Sequence, residues 1–94
     1  MTIADIQDRI QPILRRYGVT QAGVFGSFAR NEASAESDVD ILITLQEPIG
    51  VFALARLQRE LADSIGRPVD LVTSDALNPR ISPYVHADIK SIAL

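Results

Sequence analysis

The sequence predicts an α/β (α+β) fold in which a central mixed β-sheet of three or more strands packs against helices. Apolar residues at helical spacing alternate along the chain with short β-branched runs, in the order α, β, short α, β, α, β, α. The 94 residues suffice for one core, and no linker or repeat divides them. We therefore expect residues 1–94 to form a single domain.

The first predicted element is an amphipathic helix over residues 3–16. Thr2 and Asp5 are available to cap its start, and Gly18 follows its end. We expect Pro12 to bend it. The apolar positions that define its buried face are Ile3, Ile6, Ile10, Ile13 and Leu14.

A β-branched and aromatic run over residues 22–25 predicts the first strand, which stops at Gly26. Residues 27–32 predict one or two helical turns opened by a serine cap, and residues 31–37 predict a polar loop. The run DVDILITL, residues 38–45, is the clearest strand signal in the chain.

The later part of the chain repeats this alternation. Residues 52–65 predict a second amphipathic helix closed by Gly66, and residues 68–73, PVDLVT, predict a third strand. A short terminal helix is predicted after Pro83 from the spacing of Val85, Ile89 and Ile92.

Composition excludes several classes of function. There is no cysteine and a single histidine, so any metal must bind to oxygen ligands. The net charge of -3 argues against a large electropositive surface, so long nucleic acid is not an expected substrate. The chain shows no signal peptide and no apolar run of roughly 18 residues, so we expect a cytoplasmic protein that does not enter a membrane.

Three acidic residues in predicted strands are the candidate catalytic groups. Asp38 and Asp40 are two residues apart, which places both carboxylates on one face, and Asp70 lies in a strand that could pair with theirs. Carboxylates are rare in strands unless they are paired or bind metal. Two Mg²⁺ ions held by these carboxylates would suit an in-line phosphoryl displacement, with Asp70 best placed to help deprotonate the incoming hydroxyl.

Gly26 and Ser27 form the other half of the predicted site. At a strand-to-helix turn, a glycine lets the backbone approach phosphate closely, and a serine hydroxyl can donate to a phosphate oxygen. Arg30 follows on the same short helix. It could bind phosphate or fix the loop by bonding a carboxylate, and the sequence leaves both open.

The segment GSFARNEASAESDVDILI resembles the signature of the minimal nucleotidyltransferases of the DNA polymerase β superfamily. Their signature is Gly-Ser, ten residues, then Asp-X-Asp running into an apolar strand, and Gly26, Ser27, Asp38 and Asp40 match it. The third carboxylate of that family is matched by Asp70 in RPVDLVT.

One residue departs from the family pattern. Asn31 stands where members often carry glycine after the arginine. Asparagine tolerates a left-handed backbone better than most residues, so we expect the turn to survive.

The resemblance implies a magnesium-dependent enzyme that transfers AMP from ATP to a tyrosine of a HEPN-type toxin and acts as its antitoxin, an arrangement that allows a hetero-oligomer of the two. Two alternatives stay open. One is a non-catalytic antitoxin that neutralises its partner by contact. The other is a transferase acting on a small-molecule hydroxyl, against which the shortness of the chain counts, because a dedicated pocket needs more walls.

Overall fold

The computed structural model describes residues 1–76 and 87–94. No helix in these two ranges is long and apolar enough to cross a membrane. The elements in chain order are α1 (Ile3–Arg16), β1 (Val19–Phe25), α2 (Gly26–Ala29), β2 (Val39–Leu45), α3 (Val51–Ile65), β3 (Val69–Thr73), a short 3₁₀ helix (Ser74–Ala76) and β4 (Lys90–Ile92).

The strands form one four-stranded sheet in the order β3-β2-β1-β4. β1 pairs antiparallel with both β2 and β4, whereas β2 and β3 are parallel and are joined through α3. The predicted mixed sheet of three or more strands is therefore confirmed. The parallel pair places the starts of β2 and β3 at the same end of the sheet.

The hydrophobic core lies between one face of the sheet and the two long helices. Val39, Ile41 and Ile43 alternate along β2, and each is fully buried. α1 and α3 pack against this face because their apolar stripes are buried there, each side chain contributing about 1.5–3 kcal/mol. The helical residues involved are Ile6, Ile10, Leu14, Leu57, Leu61 and Ile65.

The predicted caps of the long helices are confirmed. The backbone N–H of Asp5 donates to Thr2 Oγ1 at 3.1 Å, and the Thr2 N–H donates to Asp5 Oδ2 at 2.9 Å, a reciprocal capping box. α3 ends at Gly66, which has the left-handed backbone typical of this position. Pro12 lies inside α1, which continues to Arg16.

The predicted terminal helix is wrong over residues 90–92, which form strand β4 against β1. Ile89 and Ile92 are three residues apart, a spacing that suits one helix face but puts them on opposite faces of an extended chain. Ile92 enters the core, whereas Ile89 lies over Gly23 on the other face. The start of the predicted helix, including Val85, lies outside the described residues.

Candidate active site

Asp40 and Asp70 are direct neighbours across the parallel pair β2 and β3. They therefore share a face of the sheet, and it is the face opposite Val39 and Ile41, which point into the core. Asp38 comes one residue before β2 begins. The structure thus brings Asp40 and Asp70 together and leaves Asp38 on the loop that leads into the strand.

The three carboxylates differ in their environments. Asp38 and Asp70 are exposed, whereas Asp40 is partly buried. This burial, followed by the charges of Asp70 and Asp38, raises the pKa of Asp40 above its ordinary value, and Arg30 opposes the rise. Asp40 thus lies in the combined field of the other two acids, a place where a bound cation would be stabilised.

The donor set is suited to Mg²⁺, because all three candidate ligands are hard carboxylate oxygens. Among residues 1–76 and 87–94, however, no three acidic or histidine side chains are gathered closely enough to surround a metal ion. Repulsion between like charges favours such separated side chains, and a bound cation would relieve that repulsion. Asp40 and Asp70 are therefore the two members of the candidate site that strand pairing brings side by side.

Gly26 is positioned directly beside Asp40. Its φ is +72°, a left-handed backbone that glycine adopts without strain. A Cβ atom at this position would collide with Oδ2 of Asp40. The turn therefore needs glycine for its backbone and for the space that the carboxylate occupies.

The expectation for Asn31 is confirmed: its φ is +58°, the left-handed backbone that asparagine tolerates. The serine cap is wrong. α2 begins at Gly26, its N-cap position is Phe25, and no side chain caps it. Ser27 thus lies inside the first turn, partly buried, and its hydroxyl does not serve as the helix cap.

Arg30 bonds two carboxylates. Its Nε donates to Glu32 Oε2 at 3.1 Å and its Nη1 donates to Asp88 Oδ2 at 3.0 Å. These bonds tie the end of α2 to the segment before β4. The carboxylate-bonding alternative from the sequence is thus observed, and these two bonds use two of the five N–H donors of the guanidinium.

Sequence reasoning missed Arg67, which contacts the loop that carries Asp38. Its Nη1 donates to the carbonyl oxygens of Ser34, Ala35 and Ser37 at 2.9, 3.2 and 3.3 Å. Its guanidinium also lies 5.1 Å from the ring centroid of Phe28 in α2. In the sequence Arg67 is one cation after a helix-closing glycine, and no local pattern indicates contacts 30 residues away.

A groove of about 460 Å³ lies on the same face of the sheet as Asp40. Leu42 and Thr44, which follow Asp40 at strand spacing on β2, line it together with Gly23 and Ile89. The described helices α1 and α3 cover the other face. The groove thus begins two residues along β2 from Asp40, and the candidate site residues themselves do not line it.

Comparison with known proteins identifies the family and the fold of the chain. A family model described as the nucleotidyltransferase domain matches residues 8–92. A Methanocaldococcus jannaschii protein, provisionally named a protein adenylyltransferase, is 42% identical over 85 residues, which cover 90% of this chain and 91% of the relative.

Solved structures share the fold. A provisionally assigned minimal nucleotidyltransferase has a TM-score of 0.79 at 32% identity, covering 100% of this chain and 97% of its own. A toxin–antitoxin structure with AMP-PNP has a TM-score of 0.83 at 22% identity, covering 93% and 72%. The complex of a tri-AMPylated Shewanella oneidensis HEPN toxin with an MNT antitoxin has a TM-score of 0.75 at 21%, covering 94% and 69%. The last two identities support the fold alone, but the family model spans nearly the whole chain, and the chain belongs to the nucleotidyltransferase family.

Proposed function

We propose that this protein transfers AMP from ATP to a tyrosine hydroxyl of a HEPN-type toxin and so acts as the antitoxin of the pair. Magnesium bound by Asp38, Asp40 and Asp70 would assist the reaction. The observation that carries the proposal is the pairing of Asp40 with Asp70 beside the left-handed turn at Gly26. It unites the carboxylate half and the phosphate half of a nucleotidyl-transfer site.

The reaction forms a bond between the acceptor oxygen and the α-phosphorus of ATP and breaks the bond from that phosphorus to the leaving pyrophosphate. Mg²⁺, when bound, neutralises charge that develops on the phosphate oxygens. Asp70 is exposed at the start of β3, where it can accept the proton of the attacking hydroxyl. Asp38 and Asp40 hold the metal side of the site.

The turn at Gly26 and Ser27 binds the triphosphate in this proposal. Gly26 has no side chain to keep phosphate away from the backbone, and the Ser27 hydroxyl is not engaged as a helix cap. A hydroxyl donating to a charged phosphate oxygen contributes about 1.5–3 kcal/mol. Arg30 would add a bond to phosphate through N–H donors that Glu32 and Asp88 do not engage.

The chemistry of the transferred group and of the acceptor rests on the relatives. The M. jannaschii relative carries the name of a protein adenylyltransferase, and one solved neighbour is a HEPN toxin with three AMP groups in complex with an MNT antitoxin. Another neighbour is a toxin–antitoxin pair with an ATP analogue. The similarity to these proteins supports ATP as the donor and a HEPN-type protein as the acceptor.

The test is a transfer assay with ATP labelled on the α-phosphate, MgCl₂, and a HEPN-type toxin as the acceptor. We expect label on the partner, loss of label when EDTA replaces magnesium, and loss in the Asp40→Asn variant. Asp63→Asn is a matched control, because Asp63 is an exposed acid on α3 and lies on neither half of the site. Mapping the labelled peptide identifies the acceptor residue.

Two results would contradict the proposal in different ways. Tight binding and full inhibition of the partner without any transferred label would show an antitoxin that acts by contact. Label on the hydroxyl of a small molecule, with none on the partner, would show the small-molecule transferase.

A further inference from the structure

We infer that Arg67 is a positioning residue that holds Asp38 where it can share a cation with Asp40. This inference rests on the metal site of the proposed function. Arg67 lies outside the Gly-Ser and Asp-X-Asp motifs, and it contacts the loop before β2.

The loop over residues 34–37 is already a closed turn. The Ser34 N–H donates to Ser37 Oγ at 2.8 Å, and the Ser37 N–H donates to the Ser34 carbonyl at 3.2 Å. Its carbonyl oxygens at Ser34, Ala35 and Ser37 converge on one nitrogen of Arg67. The guanidinium thus binds the carbonyl oxygens of this turn and shares the Ser34 carbonyl with the Ser37 N–H.

Asp38 is held on both sides by the segment that contains Arg67. The Ser37 carbonyl belongs to the peptide bond that precedes Asp38, and Arg67 binds it. The Val39 N–H belongs to the peptide bond that follows Asp38, and it donates to the Pro68 carbonyl at 2.9 Å. Both peptide planes beside Asp38 are therefore fixed by residues just before β3.

The same guanidinium also contacts the phosphate half of the site. It stacks over Phe28, which is 8% exposed and anchors α2 to the core one residue after Ser27. A planar guanidinium can stack on a ring and donate at its edge together, which an ammonium group cannot do. Arg67 thus links the start of β3, the Asp38 loop and α2.

The direction in which the metal affinity changes when Arg67 is replaced distinguishes a positioning role from a purely electrostatic one. Arg67 is a cation bound to the loop that carries Asp38, so simple electrostatics predicts that its removal leaves the binding of another cation unchanged or strengthens it. Positioning predicts the opposite, because an unrestrained Asp38 would have to be ordered when the metal binds. Outer-shell partners of this kind change metal affinity by roughly 10–100-fold.

The experiment titrates the whole protein with Mn²⁺ and follows the EPR signal of the unbound ion. We expect Arg67→Met to raise the Kd for Mn²⁺ about tenfold and Arg67→Lys, which keeps the charge, to give a similar loss. Arg59→Met is the matched control, because Arg59 is an exposed arginine on α3, and its Kd should equal that of wild type. Thermal unfolding in EDTA shows whether each variant folds.

A double-mutant cycle with Asp38→Asn tests whether Arg67 acts through Asp38. We expect Arg67→Met to add no further loss in the Asp38→Asn background. An equal loss in both backgrounds, or unchanged or tighter Mn²⁺ binding by Arg67→Met, would overturn the inference while leaving the metal site intact. A wild-type protein that binds no Mn²⁺ would overturn the inference and the proposed metal site together.

Discussion

The carboxylate of Asp40 fills the space beside Gly26 that a side chain would require. Gly26 and Asp40 belong to different elements, the start of α2 and the start of β2, and they pack so closely that a Cβ on Gly26 would collide with Asp40 Oδ2. Phe25, the residue before the turn, is the β1 partner of Asp40 in the antiparallel register. The pairing of β1 with β2 therefore places the turn at Gly26 and Ser27 beside the carboxylate of Asp40.

Substitution of Gly26 separates backbone strain from this contact. Gly18 and Gly26 have φ values of +76° and +72°, but a Cβ at Gly18 would meet no atom within 4 Å. We expect Gly18→Ala and Gly26→Ala each to lower the free energy of unfolding by about 1–2 kcal/mol, because both place alanine in a left-handed conformation. Only Gly26→Ala should also abolish AMP transfer, since it displaces Asp40. Chemical denaturation and the transfer assay measure the two effects, and equal activities of the variants would contradict this role of Gly26.

The raised pKa of Asp40 predicts how the stability of the metal-free protein depends on pH. The folded protein binds a proton at Asp40 more tightly than the unfolded chain, whose carboxyl has the ordinary value of 3.8. The contribution of Asp40 to stability therefore falls as the pH rises from the ordinary pKa of the unfolded chain to the raised pKa of the folded protein. At pH 7 the charged group destabilises the fold. We expect Asp40→Asn to raise Tm in EDTA at pH 7 by no more than about 4 °C, because the group is partly exposed.

Addition of Mg²⁺ should make the wild-type protein, not the Asp40→Asn variant, the one with the higher Tm. The ion should raise the Tm of the wild-type protein and leave that of Asp40→Asn nearly unchanged, because binding to the folded state stabilises it. Differential scanning calorimetry at a series of pH values below 7 checks both parts, and the gain from Asp40→Asn in EDTA should shrink as the pH falls through the raised pKa of Asp40. A variant less stable than wild type in EDTA at pH 7 would contradict the prediction.

The sequence was sufficient for elements whose pattern is local. The alternation at Val39, Ile41 and Ile43 identifies the buried face of β2 and so the face that bears Asp40, and the capping residues of α1 lie within three positions of each other. β4 was missed because its strand character depends on pairing with β1 from the far end of the chain. Arg67 was missed for the same reason, since its acceptors lie 30 to 33 residues earlier.

Substitution of Thr2 and of Ser27 compares a hydroxyl that caps a helix with one proposed to bind phosphate. Thr2 caps α1, so Thr2→Ala should cost about 1 kcal/mol of stability and leave AMP transfer unchanged. Ser27 does not cap α2, so Ser27→Ala should change stability by less than about 0.5 kcal/mol. Loss of its bond to phosphate should lower kcat/KM for ATP about tenfold or more. Denaturation and steady-state kinetics on both variants decide the matter, and a Ser27→Ala variant with wild-type kinetics would exclude the phosphate contact.

Arg30 poses a choice between a structural and a substrate-binding role. Its side chain is 43% exposed, so its bonds to Glu32 and Asp88 at 3.1 and 3.0 Å should contribute at most about 1 kcal/mol to stability. We expect Arg30→Gln to raise KM for ATP about tenfold, because a charged bond to phosphate is lost. The Glu32→Gln/Asp88→Asn double variant removes both carboxylates that bond Arg30 and keeps Arg30, so its KM should not rise. Equal increases in KM for the two proteins would instead show that Arg30 acts through its carboxylate partners.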